Sequence, residues 1–104
     1  MKKYKFNDIE YVFDKGDESL IDYDSLKELV TDYFKDYDYI FIDESYNKVR
    51  LKGFYDKSNK KVKDLNNIKN LDNYISNYCS HGCRWVLLKK EAWYLKRLVN
   101  LKKM

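Results

Sequence analysis

Two short runs constrain this chain most, Tyr39-Ile40-Phe41-Ile42 and Trp85-Val86-Leu87-Leu88. Each is apolar at consecutive positions, so an extended segment there would need cover on both sides. Neither approaches the ~18–20 apolar residues of a membrane span. The spacing predicts two inner strands of a sheet, with Ile40, Ile42, Trp85 and Leu87 in the core. A sheet apolar on both faces demands further elements on both sides.

The flanking sequence supplies candidates. Tyr4 and Phe6, then Ile9, Tyr11 and Phe13, alternate with polar residues as in a half-buried strand, with a slip or a hairpin turn at Asn7-Asp8. Leu26, Leu29, Val30, Tyr33, Phe34 and Tyr37 follow helical spacing and predict a helix over 24–37. Ser25 and Glu28 fit a capping box, and Asp24 is the rival cap. Val49, Leu51 and Tyr55 alternate with Arg50, Lys52 and Phe54, which predicts a hairpin partner for the first inner strand across a turn at Ser45-Tyr46-Asn47. After a polar loop, Leu65, Ile68, Leu71, Ile75 and Tyr78 predict a helix over 64–79. Ala92, Leu95, Leu98, Val99 and Leu101 predict a last, Lys- and Arg-rich helix.

The resulting order is β-α-β-β-α-β-α. It predicts a single α+β domain over residues 1–104: a ferredoxin-like, split βαβ sandwich with a C-terminal helix added, or an antiparallel sheet carrying helices. The added helix is expected to cover the second face of the sheet. A chain of 104 residues without internal repeats or a Gly/Ser/Pro linker is one domain. With 44% hydrophobic and 17% aromatic residues it is not a disordered composition.

Nine residues, 77–85, hold both cysteines and the only histidine. In the structural reading, Cys79 extends the buried face four residues after Ile75, and Gly82 closes the helix with a positive φ. His81 and Arg84 then meet the negative end of the helix dipole. In the metal reading, Cys79, His81 and Cys83 are ligands, but structural zinc takes four. In the redox reading the spacing is CxxxC rather than CxxC. The structural reading carries most weight, and no metal or cofactor is assigned. GxSxG, GxxxxGK[ST] and GxGxxG are all absent. The carboxylate pairs Asp22/Asp24, Asp36/Asp38 and Asp43/Glu44 read as a wet acidic surface rather than a Mg²⁺ site. No catalytic residue is assigned, and an enzyme is not expected.

Lys52-Gly53-Phe54-Tyr55 resembles the start of the RNP1 motif of RNA-recognition domains. Asp56 stands where that motif needs a stacking aromatic, and the first strand lacks the RNP2 pattern, so no family is assigned on it.

Charge is strongly split. Residues 1–46 carry 6 lysines against 13 acids, a net of −7; residues 47–104 carry 15 basic residues against 4 acids, a net of +11. Such asymmetry points to a charged partner, unless folding interleaves the halves. Two readings follow. In the first, Asp22, Asp24, Asp32, Asp36, Asp38 and Asp43, interleaved with Tyr23, Tyr33, Tyr37 and Tyr39, form an acidic docking face that imitates a phosphate backbone. The chain would then block a nucleic-acid-handling host protein, an enzyme or ribonucleoprotein, as small anti-CRISPR and anti-restriction inhibitors do. In the second, Arg50, Lys52, Tyr55, Lys60, Lys61, Lys63, Lys96 and Arg97 bind nucleic acid directly, through phosphate more than bases.

Eighteen of the 21 basic residues are lysine, and there is one alanine and no proline. That bias follows AT-rich codons and points to a low-GC bacterium, phage or plasmid. Met1-Lys2-Lys3-Tyr4-Lys5-Phe6 lacks the apolar stretch of a signal peptide, so a cytoplasmic location without a membrane anchor is expected.

Overall fold

The computed structural model describes residues 2–79 and 83–91. Five strands form one sheet: β1 (Lys3–Phe6), β2 (Ile9–Gly16), β3 (Tyr39–Ser45), β4 (Lys48–Phe54) and β5 (Arg84–Lys90). Among the described residues two helices accompany them, α1 (Tyr23–Leu29) and α2 (Leu71–Tyr78). β1–β2 and β3–β4 are hairpins closed by two-residue turns. The turn residues Asn7, Asp8, Tyr46 and Asn47 have φ of 52°, 68°, 53° and 62°. Such turns match the twist of paired strands and suit Asn and Asp, so Tyr46 is the unusual member. Asn7-Asp8 is therefore a true hairpin turn, not a slip in a single strand.

The strand order is β1-β2-β5-β3-β4, and every pairing is antiparallel. β5, last in the chain, inserts between the two hairpins. It pairs Val86 with Ile42 and Leu88 with Ile40 on one side, and Leu88 with Phe13 and Val86 with Gly16 on the other. This central position explains its apolar sequence: Val86, Leu87 and Leu88 are fully buried, as are Ile40 and Ile42.

Alternation in β3 and β5 separates two cores. Ile40, Ile42, Val86 and Leu88 face one side, where Leu26, Val30, Phe34 and Leu20 cover them. Tyr39, Phe41 and Leu87 face the other, beneath Leu71, Ile68, Tyr74 and Ile75. The two helices thus lie on opposite faces of the sheet.

That arrangement corrects the ferredoxin-like expectation, in which both helices share one face, and leaves its alternative, an antiparallel sheet carrying helices. Cover for the second face comes from α2. The expected C-terminal helix lies outside the described residues.

The helix expected over 24–37 breaks after Leu29. Asn7 Nδ2 donates to the Val30 carbonyl at 2.6 Å, capturing an acceptor that a continuing helix would use. Val30 and Thr31, two β-branched residues in sequence, resist the helix there. A separate 3₁₀ turn, Asp32–Asp36, then returns Phe34 to the core. The N-cap position is Asp22, whose carboxylate accepts from Ser25 Oγ at 2.9 Å, rather than Asp24 or a Ser25/Glu28 box.

The helix expected over 64–79 starts only at Leu71. The Tyr55 N–H donates to the Asn66 carbonyl and its carbonyl accepts from the Ile68 N–H, holding Asn67 extended against β4's end between two 3₁₀ turns, Asp64–Asn66 and Ile68–Asn70. Leu65 is consequently 80% exposed instead of buried. Trp85 is half-buried rather than in the core. Among the described residues, no helix is long and apolar enough to cross a membrane.

Candidate functional site

The segment between β2 and β3 carries the acidic and aromatic residues together. Asp22, Asp24, Asp32 and Asp36 are exposed along α1 and the 3₁₀ turn that follows. Between them Tyr23, Leu29 and Tyr33 stand 42%, 43% and 67% exposed, so large apolar groups face water beside the acids. The Tyr33 ring meets Phe34 edge-on at 5.0 Å, and its hydroxyl lies 3.1 Å from the Tyr37 hydroxyl. Tyr37 stacks on Tyr55, centroids 4.6 Å apart. The hydrogen bond with Tyr33, followed by burial, pushes the Tyr37 hydroxyl up to about 12. The aromatic part of the strip is thereby anchored on β4 while its acidic rim stays wet.

Two acids assigned to this face sit elsewhere. Asp38 is half-buried and closes a loop, accepting the Asp56 N–H at 2.7 Å and Asn59 Nδ2 at 3.1 Å. Asp43 is 1% exposed and lies on the opposite face of the sheet, so no partner can reach it. Register is the reason: Asp43 alternates with Tyr39 and Phe41, which point toward α2.

The basic set does not form one patch among the described residues. Arg50 is committed to Asp43. Lys52 is half-buried, its ammonium 5.3 Å and 5.4 Å from the Phe54 and Tyr74 ring centroids. Tyr55 is buried under Tyr37, so it is not available to stack on a base. Lys60 and Lys63 are exposed, and Lys61 pairs with Asp36 at 3.6 Å, joining the basic loop to the acidic strip. Lys96 and Arg97 lie outside the described residues.

A third cluster forms where α2 meets β5. Cys79 ends α2, its N–H donating to the Ile75 carbonyl, and forms a disulfide with Cys83, just ahead of β5. Cys79 is half-buried and bridged, where full burial was expected. Gly82 and His81 lie outside the described residues. The cysteine sulfurs and one Asp43 carboxylate oxygen all lie within 4.8 Å of one another. Arg50 donates from Nε to Asp43 Oδ1 at 2.9 Å and from Nη2 to Oδ2 at 3.0 Å, and Nη2 also reaches the Tyr78 carbonyl at 3.1 Å. The hydrogen bonds to Asp43, and then its charge, raise the Arg50 guanidinium above its ordinary range.

Sequence reasoning missed this convergence of Asp43 and Arg50 on the cysteines. A signal existed: a two-residue turn at Tyr46-Asn47 places Asp43 directly across from Arg50. The approach of Cys79 and Cys83 needed the placement of β5.

A family profile described as "Putative antitoxin YutD-like" matches residues 5–89, from β1 to β5. The chain belongs to this YutD-like family. It is similar to "Putative antitoxin YutD" of Bacillus subtilis (strain 168), with 40% identity over 67 residues, covering 64% of this chain and 74% of that protein. Its fold is similar to the solution NMR structure of protein yutD from B. subtilis, with a TM-score of 0.69, 31% identity, and coverage of 86% of this chain and 82% of that one. The YutD-like region includes the acidic strip, the Asp43–Arg50 pair and both cysteines. Neither family nor relative is described by an enzymatic activity.

Proposed function

We propose that this chain is a non-catalytic antitoxin that binds a protein toxin through the exposed acidic and aromatic strip of residues 22–37. Family membership supports a partner that is a protein. The observation that carries the choice of surface is the exposure of Tyr23, Leu29 and Tyr33 among Asp22, Asp24, Asp32 and Asp36. Aromatic anchors desolvate well, and carboxylates around them steer toward a basic partner. Such a partner has the charge of a protein that grips nucleic acid, and the strip would occupy its basic groove in place of phosphate.

The test compares two double variants. Asp32→Lys with Asp36→Lys reverses the strip without touching a core residue, whereas Lys60→Glu with Lys63→Glu reverses the loop. Each is used to capture a partner from nuclease-treated lysate of the source cells, followed by assay of that partner's activity with the chain added back. The expected result is a captured protein that the unaltered chain inhibits, lost on reversing the strip and retained on reversing the loop. Inhibition that survives strip reversal, or micromolar salt-sensitive binding of an oligonucleotide lost on loop reversal, overturns the proposal.

A further inference from the structure

We infer that Cys79, Cys83 and Asp43 form a thiol-gated site for a soft divalent cation such as Zn²⁺, closed in the disulfide form and opened by reduction. The argument starts from proximity. Both sulfurs and an Asp43 carboxylate oxygen lie mutually within 4.8 Å. Zinc bound by thiolates at about 2.3 Å and a carboxylate at about 2.0–2.2 Å keeps its ligand atoms about 3.5–3.8 Å apart in a tetrahedron. Parting the two sulfurs on reduction brings them toward that spacing.

The surroundings fit such an ion. Asp43 is 1% exposed, so its direction is set by the sheet rather than by solvent. Arg50 orients the carboxylate from outside through two hydrogen bonds and leaves lone pairs on both oxygens. Charge also balances. Two thiolates and one carboxylate bring three negative charges, against which stand the dication and the Arg50 guanidinium. The cysteines anchor the end of α2 and the start of β5, so the ion would replace the disulfide as the link between them. The fourth position falls to water, as at zinc sites with three protein ligands.

The chemistry has two steps. A dithiol reductant exchanges with the Cys79–Cys83 bridge: one S–S bond breaks, the reductant's own S–S bond forms, and both cysteines leave as thiols. The cation then displaces one proton from each thiol and bonds to both sulfurs and to Asp43. Exchange with a disulfide oxidant, which is itself reduced to a dithiol as the Cys79–Cys83 bond re-forms, would expel the ion.

Cobalt substitution tests this, because thiolate-to-Co²⁺ charge-transfer bands report sulfur ligands directly. The full chain is reduced with a dithiol, desalted without oxygen and titrated with Co²⁺, then with Zn²⁺. The expected result is one Co²⁺ per chain with thiolate bands in the reduced protein, displaced by Zn²⁺, and no such bands in the oxidised protein. Cys79→Ser should abolish the bands, and Asp43→Asn should weaken Co²⁺ binding about tenfold or more. Reduced protein that shows no thiolate bands overturns the inference, as does binding equal in both redox states. The comparison of redox states needs no substitution, so it decides the matter even if Asp43→Asn misfolds.

Discussion

Arg50 grips the buried carboxylate of Asp43 across the β3–β4 hairpin with two parallel hydrogen bonds, and its remaining reach ties the Tyr78 carbonyl at the end of α2. One side chain thus connects an edge strand, an inner strand and a helix. Its guanidinium stays about half exposed while its partner is sealed, so the pair is asymmetric. Removing the exposed partner strands a carboxylate in the core. Arg50→Ala should cost about 3 kcal/mol, as buried pairs do when one member is lost. Arg50→Lys keeps the charge but not the fork, and should recover only part of that. Urea unfolding of the two variants measures both, and equal stability of Arg50→Ala and wild type would contradict the arrangement.

Ile42 and Leu87 are fully buried on opposite faces of the sheet. Truncation of either to alanine should cost ~2–5 kcal/mol by lost transfer energy and residual cavity. The total stability of such a domain is about 5–15 kcal/mol, so each change removes a large share. Because the sites lie in separate cores, the two losses should add within about 0.5 kcal/mol in the double variant, if it still folds. Thermal or urea melts check both statements.

Gly53 in β4 lies directly beneath the Tyr37 ring. A Cβ added there would stand 2.3–2.5 Å from three of its carbons, far inside van der Waals contact. Tyr37 has little freedom to retreat, being stacked on Tyr55 and bonded to Tyr33. Gly53→Ala should therefore destabilise by ~1–3 kcal/mol. In a Tyr37→Ala background the same change should cost much less, and a double-mutant cycle reads the difference. Near-UV circular dichroism should show the aromatic strip disturbed in the single Gly53→Ala variant.

Burial pushes the Tyr11 hydroxyl up to about 12 from its ordinary value near 10. The unfolded chain therefore loses this proton at lower pH than the folded one. The stability that this difference represents is fully present below about 10 and is lost as pH rises from 10 toward 12. The slope is about 1.4 kcal/mol per pH unit for one proton. Urea midpoints across alkaline pH should fall in this window, less steeply in Tyr11→Phe. An unchanged slope in that variant would assign the loss to other groups.

Elements that rest on local chemistry were legible in the residues alone. Alternation marked the strands, two consecutive-apolar runs marked the inner ones, and Ser45-Tyr46-Asn47 marked one hairpin turn, because a side chain's period and a turn's φ are properties of neighbouring residues. Asn7-Asp8 read equally as a slip or a turn. Helical spacing picked out Leu26, Val30, Phe34 and Leu71, which reach the core, but also Leu29, Tyr33, Leu65 and Tyr78, which are exposed, and it was wrong about continuity. Phe34 packs beside Leu26, yet Asn7, far away in the chain, takes the Val30 carbonyl and ends the helix. The exposure of Asp22, Asp24, Asp32 and Asp36 was legible from their short segment, whereas the burial of Asp43 and the loop role of Asp38 were not. The choice among pairings of equal local merit was made by long-range packing. β5 docks between β2 and β3, and that single placement puts the helices on opposite faces, buries Asp43 and brings it to Cys79 and Cys83. Local periodicity carries no information about which strand edge a segment will meet; the burial of Val86, Leu87 and Leu88 on both sides at once is what selects it.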